Sequence, residues 1–289
     1  MLIPILASRP GWHTDELRRA LTEAGHQGVV TSYQGLVARA GCATGLRSGE
    51  VDLEAAPAVL ARIIPAGSLE QIIYRVDALH RLEDRGVRVL NSPHAIERTV
   101  DKFYTTSLLE RAGLPTPETR VCETPDAAFA CFRELGDVVV TPLYGSRGLG
   151  MVRVSDEETA WRVFRAIEAI RGVYYLQRTV EHGGRDVRAF VVGERVIGAI
   201  ERRADGWRTN VSRGGRAVPF ELPPVYAELA VRAAQAVNAE YAGVDLLPAT
   251  DGTVYVLEVN GIPGWRGLQE ATGVDVASAV VRQLLDGRR

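Results

Sequence analysis

Tyr255-Val-Leu-Glu258-Val-Asn260-Gly-Ile-Pro263-Gly-Trp265-Arg-Gly267 reads as a buried strand running out into a loop rich in glycine and proline. Side chains alternate across a strand, so Glu258 and Asn260 share one face while Leu257 and Val259 take the other. Polar groups on the inner face of an apolar strand cost free energy unless something satisfies them. Just upstream, Ala242-Gly-Val-Asp245-Leu-Leu-Pro forms a second short strand, and Thr250-Asp-Gly-Thr253 carries the Asp-Gly signal of a hairpin turn. The hairpin brings Asp245 opposite Glu258 and Asn260. Two carboxylates and an amide, with no His or Cys, form an oxygen-only donor set that suits Mg²⁺ or Mn²⁺ better than zinc. Magnesium held this way leaves coordination positions for phosphate oxygens, which points to a nucleotide.

The 289 residues are enough for two or three lobes and a substantial core. A hydrophobic content of 46%, a charged content of 24% and a net charge of −2 suit a soluble enzyme and argue against a general nucleic-acid or membrane-surface binder. Three cysteines without a Cys-x-x-Cys pair fit a reducing compartment. The apolar run at the N-terminus is too short for a signal peptide, and no stretch approaches the ~20 apolar residues of a membrane span, so a cytoplasmic location is expected. Lys102 is the only lysine among 34 basic residues. A chain that otherwise uses arginine retains one compact ammonium where a guanidinium will not serve, and contact with a phosphate is such a role.

Residues 1 to 91 alternate strands and helices, the pattern of a small parallel α/β lobe. Thr14 is expected to cap the first helix and Ser68-Leu-Glu-Gln71 to open another, while Arg39–Ala58 shows little periodicity and is expected to be a loop. No Gly-x-Gly-x-x-Gly follows the first strand, which argues against a dinucleotide fold there. Asn91-Ser-Pro93 marks a boundary and a helix start, and Lys102 falls near the start of the next helix. Asp137–Thr141 is a buried strand, followed by Gly145-Ser-Arg-Gly148-Leu-Gly150 and a second strand, Met151–Val154. Strand–glycine loop–strand excludes a Walker loop, which needs a helix N-terminus, and leaves a flap over phosphates or a plain hairpin. Gln177-Arg-Thr-Val180 is expected to be a linker with free backbone groups at a strand end. Between 182 and 216 the chain has eight arginines against four acidic residues, with Asp186 and Arg188 alternating onto one face with Phe190. That composition favours an anion-binding floor over a solvated sheet face. Pro224–Tyr241 and Val274–Leu285 are amphipathic helices, the latter capped by Asp275. The five histidines are scattered and expected to be structural.

Taken together, Asn91-Ser-Pro…Asp101-Lys102, Pro142-Leu-Tyr-Gly-Ser-Arg-Gly-Leu-Gly-Met151, Asp186-Val-Arg…Arg208-Thr-Asn-Val-Ser-Arg-Gly-Gly215 and Gly243-Val-Asp…Glu258-Val-Asn-Gly-Ile-Pro-Gly264 resemble the ATP-grasp superfamily, and within it the RimK-type α-L-glutamate ligases. The Asn260–Trp265 run is similar to ligases that glutamylate a tetrahydromethanopterin-type cofactor.

The resemblance implies an α/β (α+β) fold: an N-terminal pre-ATP-grasp lobe (1–91), a central subdomain with the flap (92–176) and a C-terminal subdomain with the metal site (177–289). It implies that Lys102 contacts phosphate, that Thr141, Ser146 and Gly148 belong to the nucleotide-binding set, and that adenine lies along the backbone of Gln177, Arg178, Thr179 and Val180. Asp186, Arg208 and Asn210 would line the nucleotide, while Asp245, Glu258 and Asn260 would hold two Mg²⁺ ions. Arg188, Arg203 and Arg213 would clamp the reacting carboxylate and acyl phosphate, and no side chain would act as a covalent nucleophile. The implied substrates are ATP, an amino acid such as L-glutamate and a carboxylate-bearing acceptor; glutamylation of a protein C-terminus, a kinase and a non-catalytic ATP-binding regulator are the rival readings. Homo-oligomerisation is left open. One position departs from the family pattern: Thr141 stands where such enzymes place a second lysine.

Overall fold

The computed structural model describes residues 1–41, 45–145, 149–204, 206–209 and 216–287. The N-terminal part begins with strand β1 (Leu2–Ala7), helix α1 (Trp12–Glu23) and β2 (Gln27–Ser32). Short strands β3 (Leu36–Ala38), β4 (Leu46–Ser48) and β5 (Val51–Asp52) form a small antiparallel sheet. Then come β6 (Ala58–Ala61), α2 (Leu69–Asp84) and β7 (Arg88–Leu90). The order β2-β1-β6-β7, paired parallel throughout, is the expected parallel α/β lobe. Two local expectations fail. The stretch from Arg39 to Ala58 contains β4 and β5, which at two or three residues are too short to show a period. The cap of α1 is Gly11, and Thr14, three positions on, accepts from the Gly11 N–H at 2.8 Å and donates to its carbonyl at 2.6 Å.

Helices α3 (Pro93–Val100) and α4 (Lys102–Arg111) follow, capped by Ser92 and Asp101, whose side chains accept from Ala95 N and Tyr104 N. Next come β8 (Thr119–Cys122), α5 (Pro125–Leu135), β9 (Val138–Thr141), β10 (Val152–Val154), α6 (Glu157–Ala169) and β11 (Tyr174–Arg178), which build an antiparallel sheet in the order β10-β9-β11-β8. The last part contains β12 (Arg185–Val192), β13 (Arg195–Arg203), β14 (Arg216–Pro219), α7 (Pro224–Ala236), β15 (Tyr241–Pro248), β16 (Val254–Asn260), α8 (Arg266–Thr272) and α9 (Val276–Asp286). Its five strands pair antiparallel in the order β14-β13-β12-β15-β16. Helix α7 stops before its expected end because Asn238 turns left-handed, with φ of 59°.

The two faces of the five-stranded sheet are covered differently. Val187, Ala189, Val191, Val244 and Val259 pack against α7 and against Ala95, Leu108 and Leu109 of α3 and α4. On the opposite face Phe190 and Val192 pack against Trp265, Leu268 and α9, in a core shared with Ile3, Ile5 and Leu17 of the N-terminal lobe. Asp186 and Arg188 lie on this second face but beyond its apolar half. The polar stretch so left is where the candidate site forms.

Candidate active site at the end of the five-stranded sheet

Asp245 and Glu258 are directly opposed across β15 and β16, and Arg188 is opposite Asp245 on β12. The Arg188 fork meets Asp245 through Nε and Nη2, both at 2.7 Å. A second guanidinium, Arg202 on β13, bridges two carboxylates: Nε to Asp186 Oδ1 at 2.5 Å, Nη2 to Asp186 Oδ2 at 2.8 Å, and Nη2 to Asp245 Oδ2 at 3.0 Å. Asp186, Arg202 and Asp245 are each only 4% exposed, so this row is a desolvated network in which every charge has a partner. The Thr209 hydroxyl also donates to Asp186. Burial works to raise the Asp245 carboxyl, but Arg188 and Arg202 overcome it and hold the group at about 2.

Glu258 is different. Among the described residues it has no ion pair. Burial, then the neighbouring Asp245 charge, push its carboxyl upward, against the opposing influence of Arg188, Lys102 and Arg202. The Asn260 amide is satisfied when its nitrogen donates to Glu258 Oε1 at 2.9 Å and its oxygen accepts from Arg188 Nη2 at 3.3 Å. The opposite orientation offers only a 3.4 Å contact with the Gly243 carbonyl, so the first is preferred. Glycine follows because the chain turns against α3: a Cβ on Gly261 would lie 2.4 Å from Thr99 Oγ1.

Lys102 approaches from the first turn of α4, a helix that packs on β16. Its ammonium donates to the carbonyls of Leu143 and Gly145 at the base of the flap, both at 3.2 Å. Burial lowers its pKa, with Glu258 and Asp101 acting the other way. Neutral carbonyls satisfy the donors without matching the charge. A half-buried ammonium and a half-buried carboxylate thus share one cleft, each without an ion pair among the described residues. A cation against Glu258 and an anion against Lys102 would complete both. Glu258 has no ion pair and would be the first oxygen donor to a hard divalent cation, while Asp245 and Asn260 would join it by exchanging their present partners, Arg188 and Arg202 for Asp245 and Arg188 for the Asn260 oxygen.

The remaining expected site residues divide. Thr141 is 8% exposed at the end of β9, its hydroxyl donating to the Pro142 carbonyl at 3.0 Å. Arg208 reaches across to the Met151 carbonyl at 2.5 Å and lies over the Trp207 ring, while its buried Nε has no hydrogen-bond partner. Gln177 donates to Thr119 Oγ1 at 3.1 Å and to the Tyr175 hydroxyl at 3.3 Å. The backbone of 177–180 is less open than expected. The Arg178 and Thr179 N–H groups donate to the Glu118 and Asp137 carbonyls, at 2.8 and 2.9 Å, because β11 continues pairing to its end. Val180 N–H has no partner among the described residues. Ser146, Gly148, Asn210 and Arg213 lie outside the described residues.

Arg203 is not gathered into the site. It lies one residue from Arg202, so it projects from the other face, and it pairs there with Glu201 with its side chain 66% exposed. The guanidinium in the network is Arg202, which the sequence reading missed. Counting back from the Gly193-Glu194 turn pairs Asp186 with Glu201, but a bulge between Phe190 and Val191 moves the register by one and sets Asp186 opposite Arg202. A second bulge, between Asp245 and Leu246, leaves Leu257 unpaired and sends both Val256 and Val259 into the core, against the simple alternation. Trp265 is 1% exposed, packed edge-on to His13 at 4.6 Å and under the Arg62 guanidinium at 4.6 Å, so it cannot stack on a ligand ring.

A family model described as a RimK-like ATP-grasp domain matches residues 99–284. The tetrahydromethanopterin:alpha-L-glutamate ligase of Methanosarcina acetivorans is 35% identical over 271 residues, covering 84% of this chain and 84% of that protein. A probable alpha-L-glutamate ligase of Trichodesmium erythraeum is 32% identical, covering 98% and 96%. Among solved structures, a RimK domain ATP-grasp protein from Sphaerobacter thermophilus superposes with a TM-score of 0.79 at 22% identity, over 99% of this chain and all (100%) of that one. The ATP-grasp ligase PsnB, solved with a precursor variant, Mg and ADP, gives 0.74 at 23% identity, over 99% and 98%. With its parallel N-terminal sheet, its four- and five-stranded antiparallel sheets and the opposed Asp245 and Glu258, the chain belongs to the RimK-like ATP-grasp family.

Proposed function

We propose that the protein is an ATP- and Mg²⁺-dependent ligase that joins L-glutamate to a carboxylate-bearing acceptor of the tetrahydromethanopterin type. The reading rests on the relatives' names together with one observation: Glu258 and Lys102 carry opposite charges close enough to act on each other, and neither makes an ion pair within the described residues. Magnesium between Glu258, Asn260 and Asp245 would polarise the γ-phosphate and balance its developing charge. Lys102 would exchange the carbonyls of residues 143 and 145 for phosphate oxygens, so that nucleotide entry and flap position are linked. Arg188, which holds the Asp245 carboxylate bidentately, would orient the acceptor carboxylate for in-line attack on the γ-phosphorus with ADP as the leaving group. The acyl phosphate so formed loses phosphate when the glutamate amine attacks its carbonyl carbon, giving an amide. Arg202 serves as a positioning residue, fixing Asp186 and Asp245. Arg208, drawn over the flap end at Met151, supplies positive charge on the side where Thr141 replaces a lysine. Adenine would take its hydrogen bond from Val180.

The lobe division 1–91, 92–176 and 177–289 belongs to the same reading, with α3 and α4 crossing from the central segment onto the C-terminal sheet. The test is ADP release from the purified chain with ATP, Mg²⁺, L-glutamate and a panel of acceptors, followed by mass spectrometry. A product heavier than the acceptor by one glutamate residue supports the proposal. Release requiring a protein C-terminus would shift the acceptor class, and nucleotide binding without turnover under every combination would replace the enzyme by a regulator.

A further inference from the structure

The scattered histidines are not all isolated. His80 on α2 and His94 on α3 come together edge to face, with ring centroids 4.6 Å apart, and both face Glu97. His80 Nε2 is 3.2 Å and His94 Nδ1 3.5 Å from the same oxygen, Glu97 Oε2. One ligand atom from each of the three residues falls within 4.8 Å of the others. Tetrahedral zinc with bonds of about 2.0–2.1 Å separates its ligand atoms by about 3.3 Å, so two of the three edges are already near the required length. The third closes by a small turn of the His94 ring, whose side chain is 68% exposed. Glu83 lies near enough for both imidazoles to act on its carboxyl, adding negative potential beside the cluster.

We propose that His80, His94 and Glu97 bind a divalent cation of the zinc class, clamping α2 of the N-terminal lobe to α3. Two imidazoles and one carboxylate suit Zn²⁺, Co²⁺ or Ni²⁺ and discriminate against Mg²⁺, which the oxygen-only cleft would take. The ion stands outside that cleft. Water fills the fourth position, because the ligands lie at the surface. Through α3 the clamp stiffens the segment that carries Asp101 and Lys102.

The chain, made without a polyhistidine tag and freed of metal by a chelator, is titrated with Zn²⁺ in excess Mg²⁺, with Co²⁺ absorption as the signature of nitrogen ligation. The expected result is one equivalent bound, a tetrahedral Co²⁺ band, and a higher melting temperature on Zn²⁺ addition. His94→Ala and Glu97→Gln should each weaken binding about tenfold or more, while His26→Ala leaves it unchanged. His94 is exposed, so loss of its ring does not threaten folding, and the metal-free melting curve of each variant checks this. An absence of Zn²⁺ binding in the wild-type chain, or equal binding in His94→Ala, overturns the site and leaves a plain histidine–glutamate ion pair.

Discussion

Asp245 and Glu258 stand across one ladder, yet burial leaves them in opposite conditions. Two guanidiniums keep Asp245 ionised, whereas Glu258 is pushed toward its neutral form and stabilises the fold less the more fully it ionises. Glu258→Gln removes that penalty while keeping a side chain able to bond Asn260. The variant should melt above wild type, while ADP release falls at least about a hundredfold. Wild-type turnover in the variant would place the cation elsewhere. His13 gives a pH signature of the other kind. Burial first, then Arg62 and Arg266, lower its pKa from 6.5 to about 4, and its Nε2 accepts from Trp265 N at 3.2 Å, which a protonated ring cannot do. A histidine depressed in the folded state contributes stability that is whole above its unfolded value and is lost as pH falls toward the folded one. The window is therefore pH 6.5 down to about 4. Over it, wild type should lose about 1–2 kcal/mol more than His13→Gln, after discounting for partial solvent exposure. Parallel curves of denaturant midpoint against pH for the two proteins would rule this out.

Among the elements, those with a long period or a capping residue were legible from sequence. Ser68, Ser92 and Asp275 each cap the helix expected of them, because a cap is a local contact between a side chain and a nearby N–H. The hairpin that brings Asp245 toward Glu258 and Asn260 was legible from its short turn, but the turn alone would set Asp245 opposite Leu257, and the bulge after Asp245 is what sets it opposite Glu258. What escaped was non-local. The two bulges carry no residue signature, and the first of them decides which guanidinium, Arg202 or Arg203, faces the site. The His80–His94 approach depends on two helices meeting, and the burial of Trp265 on a third. The flap belongs to this scale as well. β9 and β10 hold it, Lys102 pins its carbonyls at 143 and 145, and Thr141 lies at its entry without charge. Lys102→Met should leave the fold intact and weaken ATP binding at least about tenfold, or 1.4 kcal/mol. Thr141→Lys should tighten it by a similar factor. Titration with a fluorescent ATP analogue reads both, and unchanged affinity in Lys102→Met would remove the phosphate role of that side chain.

At the scale of the molecule, the site depends on the N-terminal lobe being fixed to the sheet that bears Asp245 and Glu258. The apolar part of that junction is continuous, since Ile3, Ile5 and Leu17 share a core with Phe190, Trp265 and α9. Its polar part includes Arg88 with Glu240, Arg19 with Asp275 and His13 with the Trp265 N–H, and at its centre lie two buried side chains. Asn91, fully buried, donates to the carbonyls of Tyr241 at 2.7 Å and Gly261 at 2.6 Å and accepts from the N–H groups of Glu240 at 2.8 Å and Tyr241 at 3.2 Å. Arg62, 3% exposed, reaches the Tyr241 hydroxyl at 3.3 Å and the Pro263 carbonyl at 3.1 Å. Both therefore grip the start of β15 and the loop after β16, the two segments whose alignment sets the metal face. No membrane-crossing helix competes for this role: none among the described residues is long and apolar enough. Asn91→Ala would strand two buried donors and two acceptors at once, a loss of about 2–5 kcal/mol and of order ten degrees in Tm. Because the lobes share one core, the variant should still melt in a single transition, and hydrogen exchange should quicken first at the Glu240 and Tyr241 amides. Surface variants such as Arg133→Ala, which breaks an exposed pair with Glu157 and a contact with the Phe129 ring, should melt close to wild type. A melting point for Asn91→Ala as close to wild type as that of Arg133→Ala would mean that the Asn91 grip on β15 and the β16 loop does not align the site.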